Sequence, residues 1–179
     1  MRAVRPGERN GKPGDRRAQV LSVALELFAE QGYAATTIGQ IAERTSVTPP
    51  ALYYHFESKQ DLVTELVGPH LDALENVVAG GGGQPSRPAL LARYAEVVAS
   101  APAIARFLDR DAAGLTQVGV TQRHEAVGDR VQRALAGPDP AQGVAPAAAA
   151  LGAVRRLVVD QRLSVSAKEA TEVALRLFD

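Results

Sequence analysis

The chain has 179 residues, of which 46% are hydrophobic and only 4% aromatic, and its 20 basic residues balance its 20 acidic ones. It contains no cysteine, which excludes disulfides, thiolate metal sites and cysteine nucleophiles. No signal peptide and no apolar run of membrane-spanning length is present, so we expect a soluble cytoplasmic protein with no membrane partner. A core built from alanine, leucine and valine favours packed helices over sheets.

The first segment, residues 1–14, combines glycines and prolines with charged residues, and we expect it to be a disordered basic arm. Its basic character extends slightly further, since the first seventeen residues hold six basic and two acidic side chains.

Residues 15–60 contain the signals of one longer helix, two short ones and the start of a fourth. Asp15 is the predicted cap of a first helix that ends at Gly32. Thr36 and Thr37 begin a second helix, with Thr37 and Gln40 spaced as a capping box. A turn over residues 45–47 leads to a third helix.

The third helix is capped by Thr48, and Pro49 and Pro50 occupy first positions that need no amide partner. Leu52 and Phe56 are four residues apart and should face the interior.

The rest of the chain, residues 61–179, is predicted to be a second helical domain. The fourth helix opens at Glu57 or Ser58 and meets a predicted kink or break at Gly68-Pro69. A flexible linker at residues 80–83 follows. Further helical segments are expected at residues 87–100, 102–116, 117–136, 140–163 and 166–178, the last one opened by a capping box. No alternating strand pattern occurs, so the predicted fold is all-α.

Two short helices joined by a three-residue turn and supported by a longer one predict a helix-turn-helix. Its second helix would enter the major groove of DNA with its N-terminal residues against base edges. Thr48 offers a hydroxyl, and the apolar groups after it suit contact with thymine methyls. None of these residues can form a bidentate pair of hydrogen bonds with a base. The predicted DNA-binding residues, at base edges or phosphates, are Thr36, Thr37, Thr48, Pro49, Pro50, Ala51, Tyr53, His55 and Lys59.

Each of these residues also has a simpler interpretation. Tyr53 and Tyr54 could be ordinary core aromatics, although helical phase places Tyr53 away from Phe56 and lets Tyr54 flank the core. His55 alone would be an inert surface histidine and Lys59 alone a solvated charge. Their joint placement on one exposed edge favours a DNA-binding surface.

Residues 15–62 resemble the DNA-binding domain of the TetR family of bacterial transcriptional regulators. The matching residues are Leu27-Phe28, Gln31-Gly32-Tyr33, Ala35-Thr36-Thr37, Ile41-Ala42, the run from Ala51 to Phe56, and Ser58-Lys59. The resemblance implies that the third helix is the recognition helix and that the protein is a repressor released from operator DNA by a small molecule. Relatives usually have a glycine where this chain has Ser46, and one small or polar residue in place of the Pro49-Pro50 pair.

The resemblance also implies a homodimer, formed through the last two helices, and a small-molecule effector of unknown identity. The alanine-rich segment after Pro140 would allow helices to approach closely. Candidate residues for the ligand pocket are Tyr94, Phe107, Leu108, Gln117 and His124, with Arg155 and Arg156 as anion partners. For any one of these, packing or solvent exposure is an alternative role.

An enzyme is the first rival function. His70 and His124 have no partner at metal-ligand spacing, Asp109 and Asp111 face different sides of a helix, and no nucleophile motif is present. We therefore expect no catalytic residues, no metal and no cofactor. The second rival is a TetR-like regulator without a small-molecule effector, controlled by a protein partner or acting as an activator.

Overall fold

A computed structural model describes residues 13–79, 85–116, 119–160 and 162–178. Within these ranges every regular element is helical, which confirms the all-α prediction. The helices are α1 Pro13–Gln31, α2 Ile38–Arg44, α3 Pro49–His55, α4 Lys59–Val78, α5 Arg87–Ser100, α6 Pro102–Arg110, α7 Ala112–Leu115, α8 Val120–Ala136, α9 Pro140–Val159 and α10 Ala167–Leu175, followed by a 3-10 turn at Arg176–Phe178. No helix in the described part of the chain is both long and apolar enough to cross a lipid bilayer.

The first helix begins two residues before the predicted cap. Pro13 is its first residue, so Asp15 lies inside the first turn and the predicted cap position is wrong. The helix ends as expected, because Gly32 adopts a left-handed φ of +86° and donates its N–H to Phe28 O at 2.9 Å. The predicted arm was residues 1–14, but residues 13 and 14 belong to α1; residues 1–12 and the predicted linker at residues 80–83 lie outside the described residues.

The fourth helix runs through the residues where the sequence predicted a kink or break. Ser58 caps α4, as expected, but the helix is continuous across Gly68 and Pro69, so the predicted break is wrong. Proline removes one helical hydrogen bond and disfavours the turn before it. The buried residues Val67, His70 and Leu71 flank Pro69 and anchor both halves of the helix in the core, which keeps it continuous.

Three of the later helix boundaries also differ from the prediction. The segment predicted at residues 102–116 is divided at Asp111 into α6 and α7. α8 starts at Val120, after Gly119 adopts a φ of +73°, and α9 ends at Val159, four residues early. The capping box that opens α10 is confirmed, with Ser166 and Glu169 bonded to each other's backbone amides.

The hydrophobic core is continuous from α1 to α10. It passes from Val20, Phe28 and Leu52 near the N-terminus, through Leu62 and Phe107, to the C-terminal helices in one cluster of buried side chains. No gap in this cluster separates residues 15–60 from residues 61–179. The division into those two domains therefore stays a prediction.

Helices α8 and α9 approach each other very closely where they are connected. A Cβ atom built on Gly143 would overlap the backbone of Ala136, the last residue of α8. Only glycine allows this contact, which fixes how α9 leaves the connecting turn. α9 in turn packs against α5, α6, α8 and α10, so it is the central helix of the C-terminal bundle.

Candidate nucleic-acid interface and cavity

The turn between α2 and α3 has the geometry of a helix-turn-helix. Thr37 caps α2, and both bonds of the predicted capping box with Gln40 are present, at 2.8 Å and 3.2 Å. Ser46, where relatives usually have glycine, has a left-handed φ of +55°. The N–H of the next residue, Val47, bonds to Ala42 O at 3.0 Å and closes the turn. A serine therefore adopts the conformation that normally favours glycine.

The sequence of α3 determines which face it exposes. Thr48 caps the helix through a bond from the Ala51 N–H, and Pro49 and Pro50 have no N–H to leave unpaired. Leu52 and Phe56 are almost completely buried and hold the helix against the core. The opposite face and the N-terminal tip of α3 are open to solvent.

Six of the nine predicted DNA-binding residues are exposed, namely Thr37, Thr48, Pro49, Pro50, Ala51 and Tyr53. His55 and Lys59 are half-buried. Thr36 is completely buried, with 0% of its side chain accessible. Its hydroxyl donates to Gly32 O at 2.8 Å and accepts from Gln31 Nε2 at 3.1 Å, so it closes the α1–α2 loop and is not available to DNA. The prediction that the Thr36 side chain contacts DNA is therefore wrong.

Lys59 is already bonded within the protein. Its Nζ donates to Tyr33 O at 2.7 Å and to Thr36 O at 2.8 Å, and lies 4.2 Å from the centroid of the Tyr33 ring. Partial burial lowers the pKa of Lys59 from its usual value, and the nearby carboxylate of Asp111 opposes that shift. The ammonium joins the start of α4 to the loop before α2, and in this way it sets the position of Thr37.

Tyr54 is the exposed residue that the sequence analysis missed. It was expected to flank the core, but 88% of it is accessible, against 52% for Tyr53. Its ring packs edge-on against His55, with centroids 5.4 Å apart. Helical periodicity indicates this exposure, because Tyr54 lies two residues from both Leu52 and Phe56 and therefore points away from the buried face.

Two cations near this face are paired with acidic residues, whereas Arg16 lines a pocket together with Thr48, Ala51 and His55. Arg44 forms a bidentate ion pair with Glu30 at 3.0 Å and 3.1 Å. Arg17 is paired with Glu65, donates to His55 O at 3.0 Å, and packs over the Phe56 ring. The exposed groups of α3 are hydroxyls, aromatic rings and proline rings rather than charges. Such a surface can fit a DNA groove, and most of its attraction for phosphate would have to come from other basic residues.

The candidate ligand residues of the C-terminal helices are only partly brought together. Tyr94, His124 and Arg155 line one cavity of about 340 Å³, whereas Phe107 and Leu108 belong to the solid core. Arg156 lines a neighbouring cavity together with Arg155. Gln117 lies outside the described residues.

A group of polar side chains surrounds Arg155 beside the first cavity. Its Nη2 lies 2.7 Å from His124 Nε2 and 3.0 Å from Asp109 Oδ1, and its Nε is buried without a partner. Burial, and then the charge of Arg155, lower the pKa of His70 and of His124 to about 4. Burial raises the pKa of Tyr94 to about 12. At neutral pH both histidines and the tyrosine are therefore neutral.

An exposed α3 on a tight turn, supported by α1 and α4 at one end of a larger helical bundle, defines a helix-turn-helix DNA-binding regulator. The model of the tetR family of bacterial regulatory proteins matches residues 20–66. A transcriptional regulator of the TetR/AcrR family from Thermobifida fusca YX-ER1 is 30% identical over 92% of this chain and 96% of that one, with a TM-score of 0.54. The chain belongs to the TetR family of transcriptional regulators, and its relatives are regulators rather than enzymes.

Curated relatives include both repressors and an activator. The transcriptional repressor KstR2 of Rhodococcus jostii is 37% identical over 56% of this chain and 52% of its own length. The transcriptional activator FasR of Mycolicibacterium smegmatis is 42% identical over 41% of this chain and 34% of its own length. The matching parts thus span about half, or less, of these two curated relatives.

Proposed function

We propose that this protein is a homodimeric repressor that is released from its operator by a small molecule. The observation that supports it most is the α3 surface, where Thr48, Pro49, Pro50 and Ala51 stand free at the tip of a helix held by Leu52 and Phe56. Thr37, Tyr53 and His55 flank this tip. This function implies action in the cytoplasm, where bacterial operators lie.

Base recognition by this surface would depend on shape and apolar contact. The two proline rings and the Ala51 methyl can contact thymine methyls, and the Thr48 hydroxyl can bond to a base edge or phosphate. Tyr53, Tyr54 and His55 would bond to phosphates beside the groove. The basic arm would add to the attraction of this face for phosphates.

The dimer is supported by an apolar surface on the last two helices. Val144, Val173 and Leu177 are each more than 40% exposed. The same side of α9 exposes only small residues over two further turns, at Ala145, Ala148, Ala149 and Gly152. Small residues let a symmetric copy of the helix approach closely, and burying the larger ones would favour association.

Release by a small molecule is supported by the cavity beside Arg155. An effector can shift the protein only by binding one arrangement of the two α3 helices more tightly than another. A rival is suggested by the match to FasR, which is an activator. Loss of target-gene expression on deletion of this protein would support activation, and a gain would support repression.

A binding selection from a randomised DNA library tests the proposal. The full-length protein should enrich a palindrome whose half-site centres lie about one helical turn, roughly 34 Å, apart. Pro50→Ala and Ala51→Ser should each change the base preference at a few positions within the half-site. The matched control is Ser100→Ala, at the end of α5, which should enrich the unchanged motif. Selection of no motif, or of a motif that Pro50→Ala leaves intact, would contradict the proposal.

A further inference from the structure

The cavity of about 340 Å³ lies among α4, α5, α8 and α9, and among the described residues Arg155 is the one lysine or arginine in its mixed apolar and polar wall. Leu74, Val127, Val131 and Leu151 supply the apolar side chains, and all four are buried. A volume of this order suits a small organic molecule.

We propose that this cavity binds an organic carboxylate, with the carboxylate on Arg155 and the apolar body against these four side chains. The inference rests on the proposed function, because it names the chemical class of the effector. The buried Nε of Arg155 has no partner, and an unpaired buried donor is costly. A carboxylate that bridges Nε and Nη2 satisfies that donor and gains the bidentate geometry that favours arginine.

The other polar groups around Arg155 favour an anion over a cation. With pKa values lowered to about 4, His70 and His124 are neutral at neutral pH and add no competing charge. On the far side of Arg155, the second cavity is lined by five arginines and two aspartates, which makes the local potential positive. Glu125 and Asp129 also line the first cavity, but both are exposed, so water screens their charges.

The bound carboxylate would displace an existing partner. Asp109 is bonded to the same Nη2 atom at 3.0 Å, so the ligand and Asp109 compete for Arg155. Two residues beyond Asp109, the carboxylate of Asp111 accepts the backbone N–H of Tyr33 in the loop between α1 and α2. Release of Asp109 would therefore act two residues from the contact that joins the end of α6 to the loop leading into the helix-turn-helix.

The proposed dimer would close one side of the cavity. Ala148 and Gly152 line the cavity and also lie on the exposed face of α9 that we propose pairs with a second copy. A bound apolar group would then be enclosed by both subunits, and its binding would depend on how they are packed together.

Isothermal titration calorimetry of the full-length protein tests the site with defined probes. These are decanoate and 2-naphthoate, each compared with its neutral carboxamide. At least one carboxylate should bind at least about tenfold more tightly than its amide, because only the anion forms the charged bond with Arg155. Equal binding of acid and amide, or no binding of either carboxylate, would overturn the proposal.

Two substitutions at the Arg155 pair should act in opposite directions. Arg155→Lys keeps the positive charge but loses the planar fork, and it should weaken carboxylate binding about tenfold or more. Asp109→Asn removes the competing anion, and it should strengthen binding several-fold and increase the ligand-induced rise in Tm. A gain of affinity requires a folded protein. Asp109→Asn therefore tests the proposal even if Arg155→Lys loses binding through misfolding.

The control is Arg156→Gln, next to Arg155 but exposed and outside the first cavity, which should bind the carboxylate normally. Loss of binding in this variant equal to that in Arg155→Lys, or weaker binding by Asp109→Asn, would overturn the assignment.

Operator binding is measured separately, without carboxylate. If DNA binding is specific but Arg155→Lys still binds the acid normally, only this inference fails. If no operator is selected, the proposed function fails.

Discussion

The rings of Phe28 and Phe107 are stacked, with centroids 5.3 Å apart and planes inclined by 15°. Phe28 is on α1, which supports the helix-turn-helix, and Phe107 is on α6, which contains Asp109 and ends just before Asp111. Both side chains are about 2% accessible. The stacked pair therefore joins α1, which holds the DNA-binding surface, to α6 of the C-terminal bundle.

Replacement of Phe107 by alanine should lower the free energy of unfolding by about 3–5 kcal/mol, because it leaves a cavity between α1 and α6. Phe107→Leu should cost about 1–2 kcal/mol, since it keeps most of the volume but loses the stack. Urea denaturation followed by circular dichroism gives both values. Hydrogen exchange in the alanine variant should rise in both helices, and a rise confined to α6 would contradict the shared core.

Ser46→Gly should stabilise the protein by about 0.5–1 kcal/mol. The left-handed φ of +55° at Ser46 costs a non-glycine residue about 1–2 kcal/mol, and the greater freedom of glycine in the unfolded chain offsets part of the gain. Thermal unfolding measures the change as a rise in Tm. The control is Ser22→Gly, at an exposed position inside α1, which should lower the Tm instead. A lower Tm for Ser46→Gly would show that the serine side chain stabilises the turn.

Local signals predicted most of the helix-turn-helix. The caps at Thr37, Thr48 and Ser58 are each set by residues three positions apart, and all are confirmed. Thr36 was misjudged because its neighbour Thr37 is the true cap, and a sequence does not show which of two adjacent threonines turns inward. Lys59 was identified, but its two carbonyl partners lie in another loop and are brought to it only by the fold.

Lys59→Met tests whether this ammonium acts mainly by positioning the α1–α2 loop. Its loss leaves the carbonyls of Tyr33 and Thr36 without their donor, so the free energy of unfolding should fall by about 1–3 kcal/mol. DNA affinity should fall for all sequences alike, since Thr37 is displaced and one positive charge is lost. Urea denaturation and DNA titration measure the two effects. Weaker DNA binding with unchanged stability would instead indicate a direct phosphate contact.

The two histidines near Arg155 should make stability depend on pH. In the folded protein the pKa of each is lowered from 6.5 to about 4, so between these values the unfolded chain binds more protons. Their contribution is complete above about pH 6.5 and is lost as the pH falls towards 4. The slope should reach up to about 1.4 kcal/mol per pH unit for each histidine.

Urea denaturation from about pH 7.5 to about pH 5, above the range where carboxylates titrate, measures this slope. His124→Gln should remove about half of it and keep the remainder from His70. A flat profile for the wild type would contradict the burial of both histidines.

The polar cluster around Arg155 shows why the C-terminal part was less predictable. His70, Tyr94, Asp109, His124 and Arg155 lie on five different helices, and no sequence spacing relates them. Tyr94, His124 and Arg155 were named as candidates from residue type alone. The ion pair between Asp109 and Arg155 depends on the packing of α6 against α9, which no sequence spacing indicates.

The double variant Val173→Glu, Leu177→Glu should convert the dimer that we propose into a monomer. Both side chains are exposed on one face of the C-terminal segment, at 47% and 44%, and charges there would be repelled across a two-fold axis. The control is Ala99→Glu, which adds a charge to an exposed position of α5 and should leave the oligomeric state unchanged. Analytical ultracentrifugation gives the mass of each variant. A monomer that keeps its fold should bind a single half-site weakly and lose the palindrome, because two α3 helices must bind together for high affinity. A double variant that remains a dimer would show that another surface forms the interface.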